Sequence, residues 1–439
     1  MTLLDLTPRT AVADRLASLP VVIIGAGPIG LAAAANLAER GIDFTVLESG
    51  DRVASSIRLW AHTRLFSPWR HLVDPASRRL LERAGWGMPG AEGRAPTGQD
   101  LVDAYLAPLA ELPEIASRIR FGMRVVAVTR VGMDRTRSAG RAQAPFLLRV
   151  QGRDGEVAEL TARAVIDASG TYTTPNPLAS SGLDPLGLAD VSDRIVHALP
   201  DVLGADRARF AGKHIVVVGA GHSAANTLIG LGKLAREEPG TRVTWAIRNP
   251  SAVRVSSSPD DELPDRAKLG TRVDGFVASG AVQVMDSFEI SRVDAAGDGV
   301  RLRGTRRGEP AHVDADLVVN ATGFRPDLDM LREVRLELDH IVEAPKRLAP
   351  LIDPNVHSCG TVSPHGFREL AHPEQGFFIV GMKSYGRAPT FLLATGYEQV
   401  RSVAAWLDGD LPAASRVQLT LPATGVCSTG DSVGGSCCS

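Results

Sequence analysis

An apolar strand-like run leading straight into Gly-x-Gly-x-x-Gly and an Ala-rich segment stands near the start of this chain, and a near copy recurs in its middle. Nothing else in the sequence restricts the fold as much. Val21-Val-Ile-Ile24 is continuously apolar, as a strand buried on both faces must be. Gly25-Ala-Gly27-Pro28-Ile-Gly30 follows at once. Residues 31–40 read as a helix with Gly41 as its C-cap, and Phe44-Thr-Val-Leu47 as a second strand with Glu48 and Ser49 at its end. Strand, turn, helix, strand and acid come in the order that a dinucleotide site needs. Gly25 permits the tight turn, Gly27 lets backbone approach a pyrophosphate, and Gly30 lets helix and strand pack closely. The helix N-terminus faces the phosphates, and Glu48 accepts hydrogen bonds from ribose hydroxyls.

The second copy is His214-Ile-Val-Val-Val218, then Gly219-Ala-Gly221-His-Ser223-Ala224, a helix through residues 227–236, and the strand Arg242-Val-Thr-Trp-Ala-Ile247. Ala224 replaces the third glycine and is still small. This strand ends in Arg248 instead of an acid. An acid would repel a 2′-phosphate, whereas a guanidinium binds one bidentately, so this site is expected to take NADPH over NADH. Two further apolar runs, Ala164-Val-Ile-Asp-Ala-Ser-Gly170 and Asp316-Leu-Val-Val-Asn-Ala-Thr-Gly323, both end in Ala-Ser/Thr-Gly. Each falls where a chain would cross between neighbouring domains, and Gly170 and Gly323 would let backbone lie close to a cofactor.

Length and composition agree with this reading. The 439 residues suffice for two or three domains, and 44% hydrophobic content supports ordinary globular cores. A net charge of −2 gives no reason to expect a nucleic acid or a membrane as partner. The first twenty residues lack the apolar core of a secretory leader, and the most apolar stretch is too short and glycine-rich to span a bilayer, so a cytoplasmic location is expected. The expected fold is α/β, with two Rossmann-like domains. Residues 1–190 and 326–411 would form one domain, residues 191–325 an inserted NADPH domain, and residues 412–439 a flexible tail.

These motifs resemble the two-dinucleotide-binding-domain flavoproteins of the glutathione and thioredoxin reductase type, in particular flavin-containing monooxygenase-like enzymes. The resemblance runs over roughly residues 18 to 410, and it implies FAD in the first site. It also implies that Ser56-Ile-Arg-Leu-Trp60-Ala-His62-Thr-Arg64-Leu-Phe-Ser-Pro68 runs along the flavin, with Trp60 and Arg64 as neighbours and Arg64 and His62 as first candidates for catalysis. Pro96-Thr97-Gly98 resembles a flavin-proximal turn, Val125 a backbone contact to adenine, and Thr390 the N-cap of a helix aimed at the flavin ring. There are departures. The FxGxxxH fingerprint of the monooxygenases is reduced to Val191-Ser-Asp-Arg-Ile-Val-His197. No Cys precedes Cys359, which removes the flavin-side dithiol of disulfide reductases.

Three of the four cysteines, Cys427, Cys437 and Cys438, lie in the Gly/Ser-rich last stretch. Thiolates are soft ligands, so three of them suit trivalent arsenic in a pyramidal site, and two suit mercury. The adjacent pair resembles the C-terminal arm of mercuric reductases, and the flavoprotein as a whole is similar to those of actinobacterial arsenic-resistance clusters. A redox arm, paired internally or with a thioredoxin-like partner, and an idle tail remain open. Cys359, near His357, His365 and His372, reads as a core thiol because the set lacks zinc-site spacing. The resemblance therefore implies an NADPH-oxidising, FAD-dependent monooxygenase that uses dioxygen on a small soft nucleophile, trivalent arsenic included. A reductase feeding the Cys arm and a metalloid carrier are the alternatives, and the oligomeric state, a homodimer included, stays open.

Overall fold

The computed structural model describes residues 16–250, 264–353, 364–388 and 391–419. Its frame is two parallel five-stranded sheets. The first is ordered Phe377–Ile379, Ala164–Asp167, Val21–Ile24, Phe44–Glu48, Ile119–Phe121. The second is ordered Gln283–Met285, Arg242–Ala246, His214–Val218, Leu317–Asn320, Ile195–His197. Every strand of the second sheet falls between two neighbouring strands of the first, Ala164–Asp167 and Phe377–Ile379. The second Rossmann-like domain is thus inserted in the first.

Strand alternation sorts the core into layers. Val21 and Ile23 point to one side and pack with Leu31, the alanines 32–35 and Leu37 of the Pro28–Glu39 helix. Val22 and Ile24 point to the other and pack with Phe146, Leu148 and Val150. Those three belong to an antiparallel meander of Arg124–Arg130, Phe146–Gln151 and Val157–Ala162. The second domain repeats the plan. Ile215 and Val217 face the His222–Glu237 helix, while Val216 and Val218 face a meander of Phe288–Ala296, Gly299–Arg306 and Glu309–Ala315. A period of two along one strand therefore supplies both faces of a three-layer stack. Each fully buried Val, Ile or Leu contributes about 1.5–3 kcal/mol.

The Pro28–Glu39 helix tolerates this crowding because its middle is four consecutive alanines, 32–35. The Pro28–Glu39 helix is buried from Ile29 through Leu37, and Pro28 starts it at a position whose missing N–H costs nothing. Gly41, at φ +66°, follows the C-cap Arg40 and stops it. Among the described residues no helix is long and apolar enough to cross a membrane.

One local expectation is corrected. The last long helix runs Leu393–Leu407 with Leu392 at the N-cap and no side-chain cap, so it starts later than a Thr390 cap would place it. Thr390 itself lies outside the described residues. The segment after Phe377–Ile379 is a buried 3-10 turn, Gly381–Tyr385. Its Ser384 hydroxyl donates to the Gly381 carbonyl at 2.7 Å, which favours the tight turn.

Candidate dinucleotide sites

The two glycine turns are built alike. Gly25 has φ +98° and Gly219 φ +125°, both in the region that a side chain avoids. A Cβ on Gly25 would stand 2.9 Å from the Ala168 carbonyl oxygen, and one on Gly219 would stand 2.1 Å from that of Ala321. Each turn is therefore pressed against its own Ala-Ser/Thr-Gly segment. By contrast, a Cβ on Gly27 or Gly221 would meet nothing within 4 Å. Those two residues are the helix N-caps, and no side chain caps either helix. Each turn thus offers first-turn N–H groups beside open space, which suits a pyrophosphate. Gly30 is fixed by packing: its Cβ would lie 1.9 Å from the Gly25 carbonyl oxygen. Ala224 does the corresponding work in the second helix and is fully buried.

Glu48 is held in place by backbone. Its Oε2 accepts from Ala26 N at 2.7 Å and its Oε1 from Gly50 N at 2.7 Å, with the Ser49 hydroxyl at 3.5 Å. A carboxylate oxygen has two lone pairs, so capacity remains for ribose hydroxyls. Ala26 also accepts at its carbonyl from Ala54 N, 3.0 Å away, and Ala54 is buried at φ +58°. A non-glycine residue in that region stores strain, which accumulates at ligand sites. Val125 is buried, at a bulge of the first meander, one residue after Arg124 and two after Met123, whose N–H donates to the Glu48 carbonyl.

The stretch from Trp60 to Arg64 and the Pro96-Thr97-Gly98 turn meet. Leu65 N donates to Pro96 O, Gly98 N to Thr63 O and Gln99 N to Ala61 O. A Cβ on Gly98 would lie 3.1 Å from the Trp60 ring. Arg64 spends its guanidinium on the Ala95 carbonyl at 2.6 Å, and His62 is exposed with the neighbouring Thr63 hydroxyl at 3.4 Å. Neither is paired with an acid or base among the described residues.

The two domains touch through aromatic rings. Phe66 packs its ring 5.2 Å from that of His222, in the second glycine motif. Tyr172, His197 and Phe324 form a second aromatic cluster at the crossings, with centroids 4.6 to 5.5 Å apart. His197 is thus retained in contact with both crossing segments, although the Phe and Gly of the monooxygenase fingerprint are absent. Burial pushes the Tyr172 phenol up to about 12, and it donates to Ala198 O at 3.2 Å. Gly170 and Gly323, at φ +70° and +96°, turn the chain at the starts of these crossings. His222 Nε2 and Asn176 Oδ1 are buried without a partner among the described residues, an arrangement common where a ligand completes the hydrogen bonding.

Some polar groups here escape motif reading. Asp167 and Asn320 occupy equivalent places before the two crossings. Asp167 Oδ1 accepts from Ser169 N and Oγ, as Asn320 Oδ1 does from Thr322 N and Oγ1. The neutral Asn320 is satisfied by backbone, donating to Asn176 O at 2.9 Å. The charged Asp167 is met by Lys383, whose Nζ donates to Oδ2 at 2.7 Å and to Ser169 Oγ at 3.1 Å. A signal existed: Lys is scarce in this chain, five residues against 43 Arg, and Lys383 sits in an otherwise apolar run.

Arg248 is exposed, two residues past the Arg242–Ala246 strand. Cys359, Cys427, Cys437 and Cys438 lie outside the described residues, within which no cluster of His, Cys, Asp or Glu is arranged to hold a metal. His365 and His372 are buried; His365 meets Gln399 Nε2 at 2.8 Å, and His372 Nδ1 accepts from Glu337 N.

Residues 22–114 and 154–359 match the family model described as pyridine nucleotide-disulphide oxidoreductase. The chain belongs to that family. It is an oxidoreductase, and within the family it is flavin-containing monooxygenase-like. An indole-3-pyruvate monooxygenase of Oryza sativa, YUCCA1, is 28% identical over 396 residues, 89% of this chain and 79% of the relative. The bacillithiol disulfide reductase Bdr of Bacillus cereus superposes with a TM-score of 0.65 at 20% identity, covering 89% of this chain and 99% of its own. The FAD-bound cadaverine monooxygenase DfoA of Erwinia amylovora does so with 0.62 at 13%, covering 95% and 99%. These two likenesses show the two-domain fold. The family's name does not carry over to a flavin-side dithiol, because no Cys precedes Cys359 in this sequence.

Proposed function

We propose that this protein is an FAD-dependent monooxygenase that oxidises NADPH and transfers oxygen from dioxygen to a small, soft nucleophile. The observation that carries the reading is the contact of Phe66 with His222, which brings the stretch beside the first glycine site against the second glycine motif. Two dinucleotides seated on those turns would have their reactive ends at that seam. The similarity to YUCCA1, which spans most of the chain, favours oxygen over a disulfide as electron acceptor.

FAD, when bound, supplies hydride acceptance and oxygen activation. The chain's own residues do the rest. Gly25, Gly27, Pro28 and Gly30 shape the first turn, and Glu48, backed by Ser49, accepts from the ribose. Gly219, Gly221, Ser223 and Ala224 shape the second, and Arg248 takes the 2′-phosphate. Val125, Gly170 and Gly323 bring backbone close to the nucleotides. Trp60 walls the first site, and the rings of Phe66, Tyr172 and Phe324 keep water from the seam. Arg64 and His62 stand beside that wall as the residues to substitute first. Residues 191–325 serve as the NADPH domain.

Trivalent arsenic is the substrate class we favour. It is a soft nucleophile with a lone pair, and Cys427, Cys437 and Cys438 supply three thiols to collect it. The test is NADPH oxidation, oxygen uptake and peroxide release with and without arsenite. Arsenite is expected to raise turnover and suppress peroxide. If arsenite changes neither, the arsenic assignment is wrong. If electrons instead pass anaerobically to a disulfide or mercuric ion and Cys437→Ser/Cys438→Ser abolishes this, the protein is a reductase.

A further inference from the structure

The segment that carries Arg248 is hydrogen-bonded to one that carries an acid, Asp286. Ile247 N donates to Met285 O at 3.0 Å and Ser287 N to Asn249 O at 3.1 Å. Between these two bonds lie Arg248 on one chain and Asp286 on the other. Left alone, the Asp286 carboxylate would neutralise Arg248 or repel a phosphate bound to it. It is not left alone. Arg307 Nη2 lies 3.1 Å from both its oxygens, and Arg306 Nη2 lies 3.2 Å from Oδ1 while its Nε donates to the Asp286 carbonyl. Both arginines come from the tight hairpin that joins Gly299–Arg306 to Glu309–Ala315. Arg307 is held there at φ +54°, and its backbone N–H donates to Ser287 O at 3.2 Å. Among the described residues no ion pair includes Arg248, whereas Asp286, on the adjoining segment, is paired with Arg306 and Arg307.

We propose that Arg306 and Arg307 are specificity-determining residues for the 2′-phosphate: they engage Asp286 and so leave the Arg248 guanidinium to the nucleotide. The local charge is then two positive beyond the one carboxylate, and the recognition is for a phosphomonoester on an adenosine ribose. This deepens the NADPH reading given above and rests on it. Arg306 and Arg307 act through Asp286 and need not touch the ligand, so they are positioning residues.

The test is calorimetric binding of 2′,5′-ADP and of 5′-AMP to the full, FAD-loaded chain. Wild type is expected to prefer 2′,5′-ADP. Arg306→Gln/Arg307→Asn should bind 2′,5′-ADP roughly tenfold or more weakly and 5′-AMP unchanged. Asn at position 307 tolerates the positive φ. Adding Asp286→Asn to that double variant should restore most of the loss, because the repelling charge is gone. Asp286→Asn alone should bind 2′,5′-ADP at least as tightly as wild type, and that variant tests the idea even if the double variant fails to fold. Unchanged 2′,5′-ADP affinity in the double variant, equal loss of 5′-AMP, absence of rescue, or weaker binding by Asp286→Asn alone each overturns the proposal. If wild type itself does not distinguish the two ligands, the NADPH reading fails and this proposal falls with it. If wild type distinguishes them and the arginine variants do too, only this proposal fails.

Discussion

Lys383 and Asp167 form an ion pair with Nζ 2.7 Å from Oδ2, and neither side chain has any exposed surface. The pair links the turn after the last strand of the first sheet to the first crossing, next to the Gly25 turn. Removing one partner leaves a buried charge unmatched, which costs about 3–5 kcal/mol. Lys383→Met is therefore expected to lower the denaturation midpoint and FAD retention together. Lys383→Met/Asp167→Asn should recover much of both, since Asn320 shows that a neutral amide fits the equivalent position. Urea denaturation with flavin quantitation checks this, and a double variant no better than the single one would refute it.

Substituting Glu48 should separate binding from folding. Glu48→Gln keeps the shape but turns an acceptor into a donor facing Ala26 N or Gly50 N. Hydrogen bonds to a charged group are worth about 1.5–3 kcal/mol, so FAD affinity should fall roughly tenfold to a hundredfold. Fluorescence titration of the apoprotein with FAD measures it. NADPH-site binding of 2′,5′-ADP should not change.

The two glycines of the second turn should behave differently. In Gly219→Ala the added methyl would collide with the Ala321 carbonyl oxygen at an unfavourable φ, and the inserted domain should lose stability. In Gly221→Ala the methyl meets only open space, so the melting temperature should hold while the KM for NADPH rises. Thermal melts and steady-state kinetics on both variants decide the point.

Two buried groups titrate against each other. Burial lowers the His372 imidazole to about 4, so His372 favours the folded state above the unfolded value near 6.5. That contribution is lost as pH falls from about 6.5 towards 4. Burial raises the Asp74 carboxyl to about 6, against hydrogen bonds from Ser77 and Asn36. Its contribution has the opposite sign: it is present below about 4 and lost as pH rises through 6. Each is worth about 3 kcal/mol at full swing. Between pH 4 and 6.5 they offset. Relative to wild type, Asp74→Asn should lose stability on acidification and His372→Gln should gain it. Urea titrations across that range test both signs.

The fold was legible because two periodicities coincide. Val21–Ile24 and Ile215–Val218 are apolar on both faces, and each is followed by the glycine turn that a dinucleotide site needs. The sites were legible where backbone does the work, at Gly25, Gly27, Gly219 and Gly221. They were less so where distant side chains meet. Lys383 reaches Asp167 across 216 residues. Arg307 reaches Asp286 only because a hairpin folds back. Nothing local in the sequence marks such pairs. His62 and Arg64 are candidates only through the family resemblance, and the structure gives Arg64 a backbone carbonyl as partner. The Leu393–Leu407 helix shows the opposite error, because Thr390 has capping chemistry but the helix starts without it.

The most direct measurement mixes the FAD-loaded protein with NADPH in the absence of oxygen and follows the visible flavin absorbance. The absorbance is expected to bleach fully, with one NADPH consumed per flavin, and the rate at low cofactor concentration to fall in Arg248→Ala. If the flavin stays oxidised in the presence of saturating NADPH, the two nucleotide sites do not exchange hydride and the proposed NADPH-oxidising monooxygenase function is wrong.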